Sequence, residues 1–170
     1  MSFRIILLLI FTTTLLIYGA MVFWTLPRIA EGAGGLAPFD MRPFGYSADE
    51  ARTFLTALTP TARQIYLGPQ QTLDIFYPAL LATTLSLAFW RLRMGLSGLV
   101  GIALSTVGAV ADYLENAAVK SMLLTQSLPD GDEIAWASSL TVIKSSATTL
   151  PFLLLLALGA VHFMRLRRKQ

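Results

Sequence analysis

Four stretches of this chain, from Ile5 to Leu26, about Gln70 to Trp90, about Met94 to Leu124 and about Ile134 to Met164, are apolar over twenty residues or more. A helix rises 1.5 Å per residue, so ~20 such residues cross the ~30 Å hydrocarbon core of a bilayer. In lipid every backbone polar group must be satisfied within its own segment, which leaves helices as the solution for isolated apolar runs. The composition agrees: 55% of the residues are hydrophobic and 14% charged, against about a quarter charged in soluble domains. The expected fold is all-α, an integral membrane four-helix bundle with spans at about 5–26, 70–90, 94–124 and 134–164. A long, partly helical first extracytoplasmic loop over 27–69 joins the first two spans, and residues 1–170 form one transmembrane domain. The first run exceeds the roughly 7–15 residues of a signal-peptide core, and no small-x-small cleavage site follows it, so it reads as a retained helix.

Charge supplies the orientation. Arg4, then Arg91 and Arg93 between the second and third spans, then Arg165, Arg167, Arg168 and Lys169 are basic residues with no acid among them. The other side carries Glu31, Asp40, Asp49 and Glu50 balanced by Arg28, Arg42, Arg52 and Arg63, followed by the acidic turn Asp130-Gly131-Asp132-Glu133. By the positive-inside rule both termini are cytoplasmic and the long loop faces outward. The net charge of +3 then reflects topology, and a nucleic-acid partner is not expected. The chain has no cysteine and a single histidine, His162 near the C-terminal end. That excludes disulfides and thiol nucleophiles and argues against a histidine metal or haem site, so no metal and no cofactor are expected.

The loop is built for more than connection. Pro27 is expected to end the first helix and Gly68-Pro69 to break the chain before the second. Between them Ser47-x-x-Glu50 matches a capping box and starts a short helix with Ala51, Phe54, Leu55 and Leu58 on one face. Thr59-Pro60 restarts another, threonine capping and proline in the first turn. Phe39, Met41, Phe44, Tyr46, Phe54 and Tyr66 are too apolar a set for a solvated connection, so the segment reads either as a lid over a site or as a cap on the helix ends.

The third span contains Asp112-Tyr113-Leu114-Glu115-Asn116. Ionisable groups at such depth are costly and default to a functional hypothesis. At 100° per residue Gly101, Ser105, Gly108, Asp112, Glu115, Asn116 and Val119 share one stripe, where small residues admit a neighbouring helix and the polar ones face the bundle interior. Counting inward from the basic flanks, Asp74 lies about 25 Å from Arg91, Asp112 about 28 Å from Arg93 and Lys144 about 31 Å from Arg165. Three helices thus bring polar groups to one level under the loop, with Tyr18 near the same depth. Three acids and one lysine cannot all pair as ions, so at least one carboxyl is expected to hold its proton, as a general acid must. The ligand-binding candidates are Asp74, Asp112, Glu115, Asn116, Lys144, Tyr77 and Tyr46, and the catalytic candidates are Asp112 and Glu115. Lys144 reads as the counter-ion of Glu115 rather than a Schiff-base nucleophile. The alternatives for the same residues are interhelical hydrogen-bonding glue, or part of an ion or proton path. The apolar lower halves of the third and fourth spans argue against the path.

The stretch Phe39-Asp40-Met41-Arg42-Pro43-Phe44-Gly45-Tyr46-Ser47, Asp74 with Pro78, and Asp112-Tyr113-Leu114-Glu115-Asn116 resemble small uncharacterised bacterial inner-membrane proteins. The resemblance covers most of the chain; it implies a bacterial inner (plasma) membrane location and no activity. Leu26-Pro27, the long loop, Asp74 followed by Pro78, and the basic tail are similar in outline to the emopamil-binding and sigma-2-receptor type family. That likeness implies binding of sterols or amphiphilic amines between carboxylates, with Asp74 as the matching acid; the histidine pattern of the isomerase branch is missing here. The expected function is binding of a lipophilic or amphiphilic small molecule in an intramembrane acidic pocket, with acid–base isomerase or cyclase activity as the chemistry it could support. The alternative is a structural or accessory subunit of a membrane complex, in which Gly95, Gly98 and Gly101 pack on a membrane-protein partner or a second copy.

Overall fold

The computed structural model describes residues 2–92, 95–125 and 127–167. Arg93, Arg168 and Lys169, assigned above to the basic flank, lie outside the described residues, as do the side chains of His162 and Arg165. The described chain is all-helical, and four helices are long and apolar enough to cross a membrane: α1 (Phe3–Glu31), α3 (Pro60–Leu92), α4 (Gly95–Leu124) and α5 (Gly131–Arg167). Each packs on the next in the chain, α4 with α5 most extensively. The short α2 (Ala48–Ala57) and a tight turn at Phe39–Met41 lie in the first connection. The outer faces of the long helices are bare and apolar, with Leu16, Phe23, Leu99 and Leu156 all more than 60% exposed. Among water-soluble monomers so much contiguous apolar surface would be an aggregation hazard, whereas lipid accepts it.

The sequence places both helix boundaries around the first connection wrongly. Pro27 does not end α1, which continues to Glu31, and Gly68-Pro69 does not break α3, which starts already at Pro60. In both places the helix widens by one π-turn, Met21–Thr25 and Tyr66–Gln70. A proline ring normally collides with the carbonyl four residues back and lacks the N–H that would bond it. A π-turn shifts the pairing by one, so Leu26 N–H reaches Met21 O and Gln71 N–H reaches Tyr66 O, and the helix passes through. The two wide turns meet: the buried Thr25 hydroxyl donates to Gln70 Oε1.

The first connection folds as a cap. Ser47 Oγ accepts from Glu50 N–H and the Glu50 carboxylate accepts from Ser47 N–H at 2.7 Å, completing the capping box. These bonds, the backbone one first, hold the Glu50 carboxyl below the ordinary carboxylate range. Ala51, Phe54, Leu55 and Leu58 all point inward. They join Ile29, Phe39, Tyr46, Ala62 and Tyr66 in an apolar core with Val119, Met122 and Leu123 of α4 and Ile134 and Ala137 of α5. The Arg63 guanidinium donates to Leu123 O, one of the carbonyls left unpaired at the end of α4, and to Leu55 O at 3.3 Å.

Within the bundle the predicted α4 stripe is buried throughout, Gly98 included. Gly98 and Gly101 therefore face this chain's own helices; the accessory-subunit reading had them turned outward. A Cβ at Gly101 would fall 2.3–2.6 Å from the ring atoms of Phe89 on α3, a ring only 1% exposed and without room to retreat. Gly101→Ala is expected to cost about 1–3 kcal/mol through overpacking, with Phe89→Leu restoring most of it. Thermal unfolding of the three variants in detergent checks this, and an unaffected Gly101→Ala would mean that α3 and α4 separate freely.

Candidate functional site

The polar level predicted from helix counting is present as a closed ion cluster under the cap. Lys144 on α5 reaches across to α4, where its Nζ contacts Glu115 and lies 3.6 Å from Asp112 Oδ1. It is also 4.0 Å from Oδ1 of Asp40. Glu115, buried to 1% exposure, accepts from the Thr141 hydroxyl through Oε1 at 2.5 Å. Asn116 Nδ2 donates to Asp112 Oδ1 at 3.2 Å, one helical turn along α4. Lys144 is thus the counter-ion expected for Glu115. A single ammonium faces three carboxylates here, and it fills the space between them.

Asp40 is the member that the sequence reading missed. By sequence it is one of four outer-side acids balanced by four arginines, but the Phe39–Met41 turn points it inward, and its Oδ2 accepts from the Tyr66 hydroxyl at 2.5 Å. Arg42 is engaged elsewhere, over the rings of Phe39, Tyr46 and Phe54 with Nε donating to Ala37 O at 2.9 Å. The available signal was the setting of Asp40, a lone acid between Phe39 and Met41 in an aromatic-rich run.

Asp74 belongs to a second, adjoining chain of bonds. Thr25 donates to Gln70, whose Nε2 donates to Asp74 Oδ2 at 3.0 Å, so the two π-turns end in this carboxylate. Asp74 lies within electrostatic reach of Asp40, Asp112 and Lys144 without a direct bond to any of them. Tyr46 sits above the cluster with its ring 4.6 Å from that of Phe39. Its hydroxyl is buried beside Thr141 without a hydrogen bond of good geometry, and burial pushes that hydroxyl's pKa well above the tyrosine range. Among the described residues no three His, Cys, Asp or Glu side chains are set to share a metal ion.

A large cavity lies elsewhere. A groove of about 780 Å³ runs along α1, α3 and α5, from Arg4 past Leu8, Phe11 and Thr14 to Tyr18, with Tyr77, Leu81, Leu85 and Ala88 as its floor and Phe152 and Leu155 on its far side. Tyr77, predicted beside the acids, instead stacks on Tyr18 at 5.7 Å and closes this groove at its upper end. It remains within electrostatic reach of Asp112, Lys144 and Asp74. The acidic pocket expected from the sequence is therefore two features, a packed ion cluster and an apolar groove beneath it. The long arm of Lys144 fills the first, and the second arises because α1 and α5 flank α3 without closing over it. A void of about 10 Å³ beside Asp112 shares the walls Leu81 and Leu85 with the groove. Neither Glu115 nor Lys144 lines either space.

No protein-family model, no curated protein and no solved structure matches this chain.

Proposed function

We propose that this chain is a four-span protein of a bacterial inner membrane, with cytoplasmic termini and an external cap, that binds a long lipophilic or amphiphilic molecule in the α1–α3–α5 groove. The observation that carries the reading is the groove itself. Its volume falls in the ~300–1,000 Å³ range of ligand pockets, and its lining is apolar apart from its two ends and a central pair. In that central pair Thr14 donates to Ile10 O at 2.8 Å and shares a 3.2 Å hydrogen bond with Thr84, so neither hydroxyl has a free donor for a ligand. Arg4 stands at one end and the Tyr18–Tyr77 pair at the other. From Arg4 to Tyr18 is about 21 Å along the helix. The shape suits an extended chain or fused-ring body with its polar groups at the ends. Asp112 stands behind the shared wall of Leu81 and Leu85 and does not line the groove, so acid–base isomerisation or cyclisation of such a ligand would require that wall to part. Glu115, locked between Lys144 and Thr141, is not placed for that chemistry.

The test is thermal unfolding of the purified protein in detergent, with and without added lipid extract, for the parent and for Ala88→Trp, which fills the groove floor. A ligand at about 100 times its Kd stabilises by ~2.7 kcal/mol, or some ~5–10 °C for a protein of this size. The parent should gain that shift and Ala88→Trp should lose it. Equal shifts, or none in the parent, would remove the groove as a binding site.

One observation favours the second reading, in which the cluster serves as glue within a structural or accessory subunit. Lys144 and its three carboxylates satisfy one another between α4, α5 and the cap, and none of the four lines the groove.

A further inference from the structure

The cap turns most of its aromatic residues inward but presents Phe44 at 96% exposure and Met41 at 53%. This is no loose tip. Gly45 N–H donates to Arg42 O at 2.8 Å, closing a four-residue turn with Pro43 in its second position and glycine in its fourth, which fixes Phe44 at the apex. The turn is then fastened to α5. Tyr46 N–H donates to Ser138 Oγ at 2.8 Å. Gly45 has φ +84° and lies so close to α5 that a Cβ there would meet Ser138 Oγ at 2.6 Å and Val142 Cγ2 at 3.1 Å.

Ser138 and Val142 lie seven and eleven residues into α5, about 10–16 Å down the helix from Gly131. The same stretch of α5 turns Trp136, Val142 and Ile143 outward, at 58%, 37% and 46% exposure. Trp136 here and Trp24 on α1 are both about half-exposed, and aromatic residues of this kind gather at the bilayer boundary. The turn that carries Phe44 is thus fastened through Gly45 and Tyr46 to the flank of a spanning helix, below its outer end. Beside it the partly exposed Arg42 guanidinium is fixed 5.8–5.9 Å from three ring centres and keeps a positive charge next to the turn.

We infer that Met41–Phe44 is a membrane anchor, a turn of the external cap that seats Phe44 and Met41 among the acyl chains of the outer leaflet, with Arg42 toward a lipid phosphate. The inference rests on the membrane reading above. Its occupant is phospholipid, because the patch continues the lipid-facing apolar surface of α5 and carries the charge that complements a phosphate. Asp40 directly precedes the anchor, so one short segment meets lipid on its outer side and Lys144 on its inner side.

The chain has no cysteine, so single substitutions give clean labels. Phe44→Cys, Asp49→Cys on the solvent side of the cap and Leu156→Cys on the bare face of α5 are each labelled with a polarity-sensitive maleimide dye. The proteins are reconstituted into vesicles with iodide on both sides, or with nitroxide-bearing phospholipid. At position 44 iodide quenching should fall at least threefold below that at position 49, and nitroxide quenching should approach that at position 156. Iodide quenching at 44 equal to that at 49 overturns the anchor while leaving the membrane reading intact. Shielding of 44 from both quenchers also overturns it, in favour of a protein partner. Iodide quenching at 156 would overturn both readings together.

Discussion

Lys144→Met is expected to be among the most damaging single substitutions in this protein, with a stability loss of about 3–5 kcal/mol. The substitution keeps most of the side-chain volume and removes the one cation that, among the described residues, pairs with Glu115, Asp112 and Asp40, whose side chains are 1%, 11% and 9% exposed. Breaking a buried ion pair from one side leaves an uncompensated charge, whereas removing both partners restores an apolar contact. The double substitution Lys144→Met with Glu115→Leu should therefore recover at least half of the loss, since Asp112 keeps Asn116 and Asp40 keeps Tyr66 as donors. Unfolding in detergent measures both. A single variant within ~1 kcal/mol of the parent would show that the cluster is not load-carrying in the fold. The same melts repeated with lipid extract test whether the cluster takes part in binding. A loss that is the same with and without lipid marks the cluster as interhelical glue. A loss of lipid stabilisation without a fall in basal stability ties the cluster to the bound molecule.

The residues that make this cluster were legible to very different degrees. The α4 stripe from Gly101 to Val119 follows from helical periodicity alone, because a carboxylate or a glycine repeated on one face has few reasons to be there except an interior contact. The level shared by Asp112, Glu115 and Lys144 follows from helix rise and the basic flanks. Asp40 did not follow, since its partner is set by the direction of a three-residue turn, and Arg42 was the nearer cation in sequence. The boundaries at Pro27 and Gly68-Pro69 failed for a related reason. The local rule for proline is sound, but the Thr25–Gln70 bond between two facing π-turns supplies a long-range contact that no local rule contains. The groove was out of reach altogether, because a cavity is set by how far α1 and α5 stand apart over α3, and side-chain periodicity reports only which faces turn inward.

Phe54→Ala should cause a loss of similar size by a different route. Phe54 is fully buried at the centre of the cap, edge-on to Phe39 at 4.9 Å and to Tyr66 at 6.3 Å, with the Arg42 guanidinium 5.8 Å from its ring centre. Truncating a core phenylalanine costs about 3–5 kcal/mol when the surroundings cannot collapse into the space. Here the neighbours are themselves rings pinned by other bonds, Tyr66 to Asp40 and Tyr46 N–H to Ser138, so little collapse is available. The loss should also be local at first. The cap core is built from residues 29–66 and the ends of α4 and α5, so hydrogen exchange should quicken over 39–66 while the α4–α5 contact lower in the bundle keeps its protection. Trypsin should then cut at Arg52 before any site in the long helices, since Pro43 protects the bond after Arg42. Uniform exchange across all four long helices would mean that cap and bundle unfold as one unit. If the local pattern is seen, Lys144 loses Asp40 whenever the cap opens, since Phe39–Met41 and Tyr66 are the supports that hold that carboxylate in place. Phe54→Ala combined with Lys144→Met should then cost less than the sum of the two, because part of what each removes is the same contact.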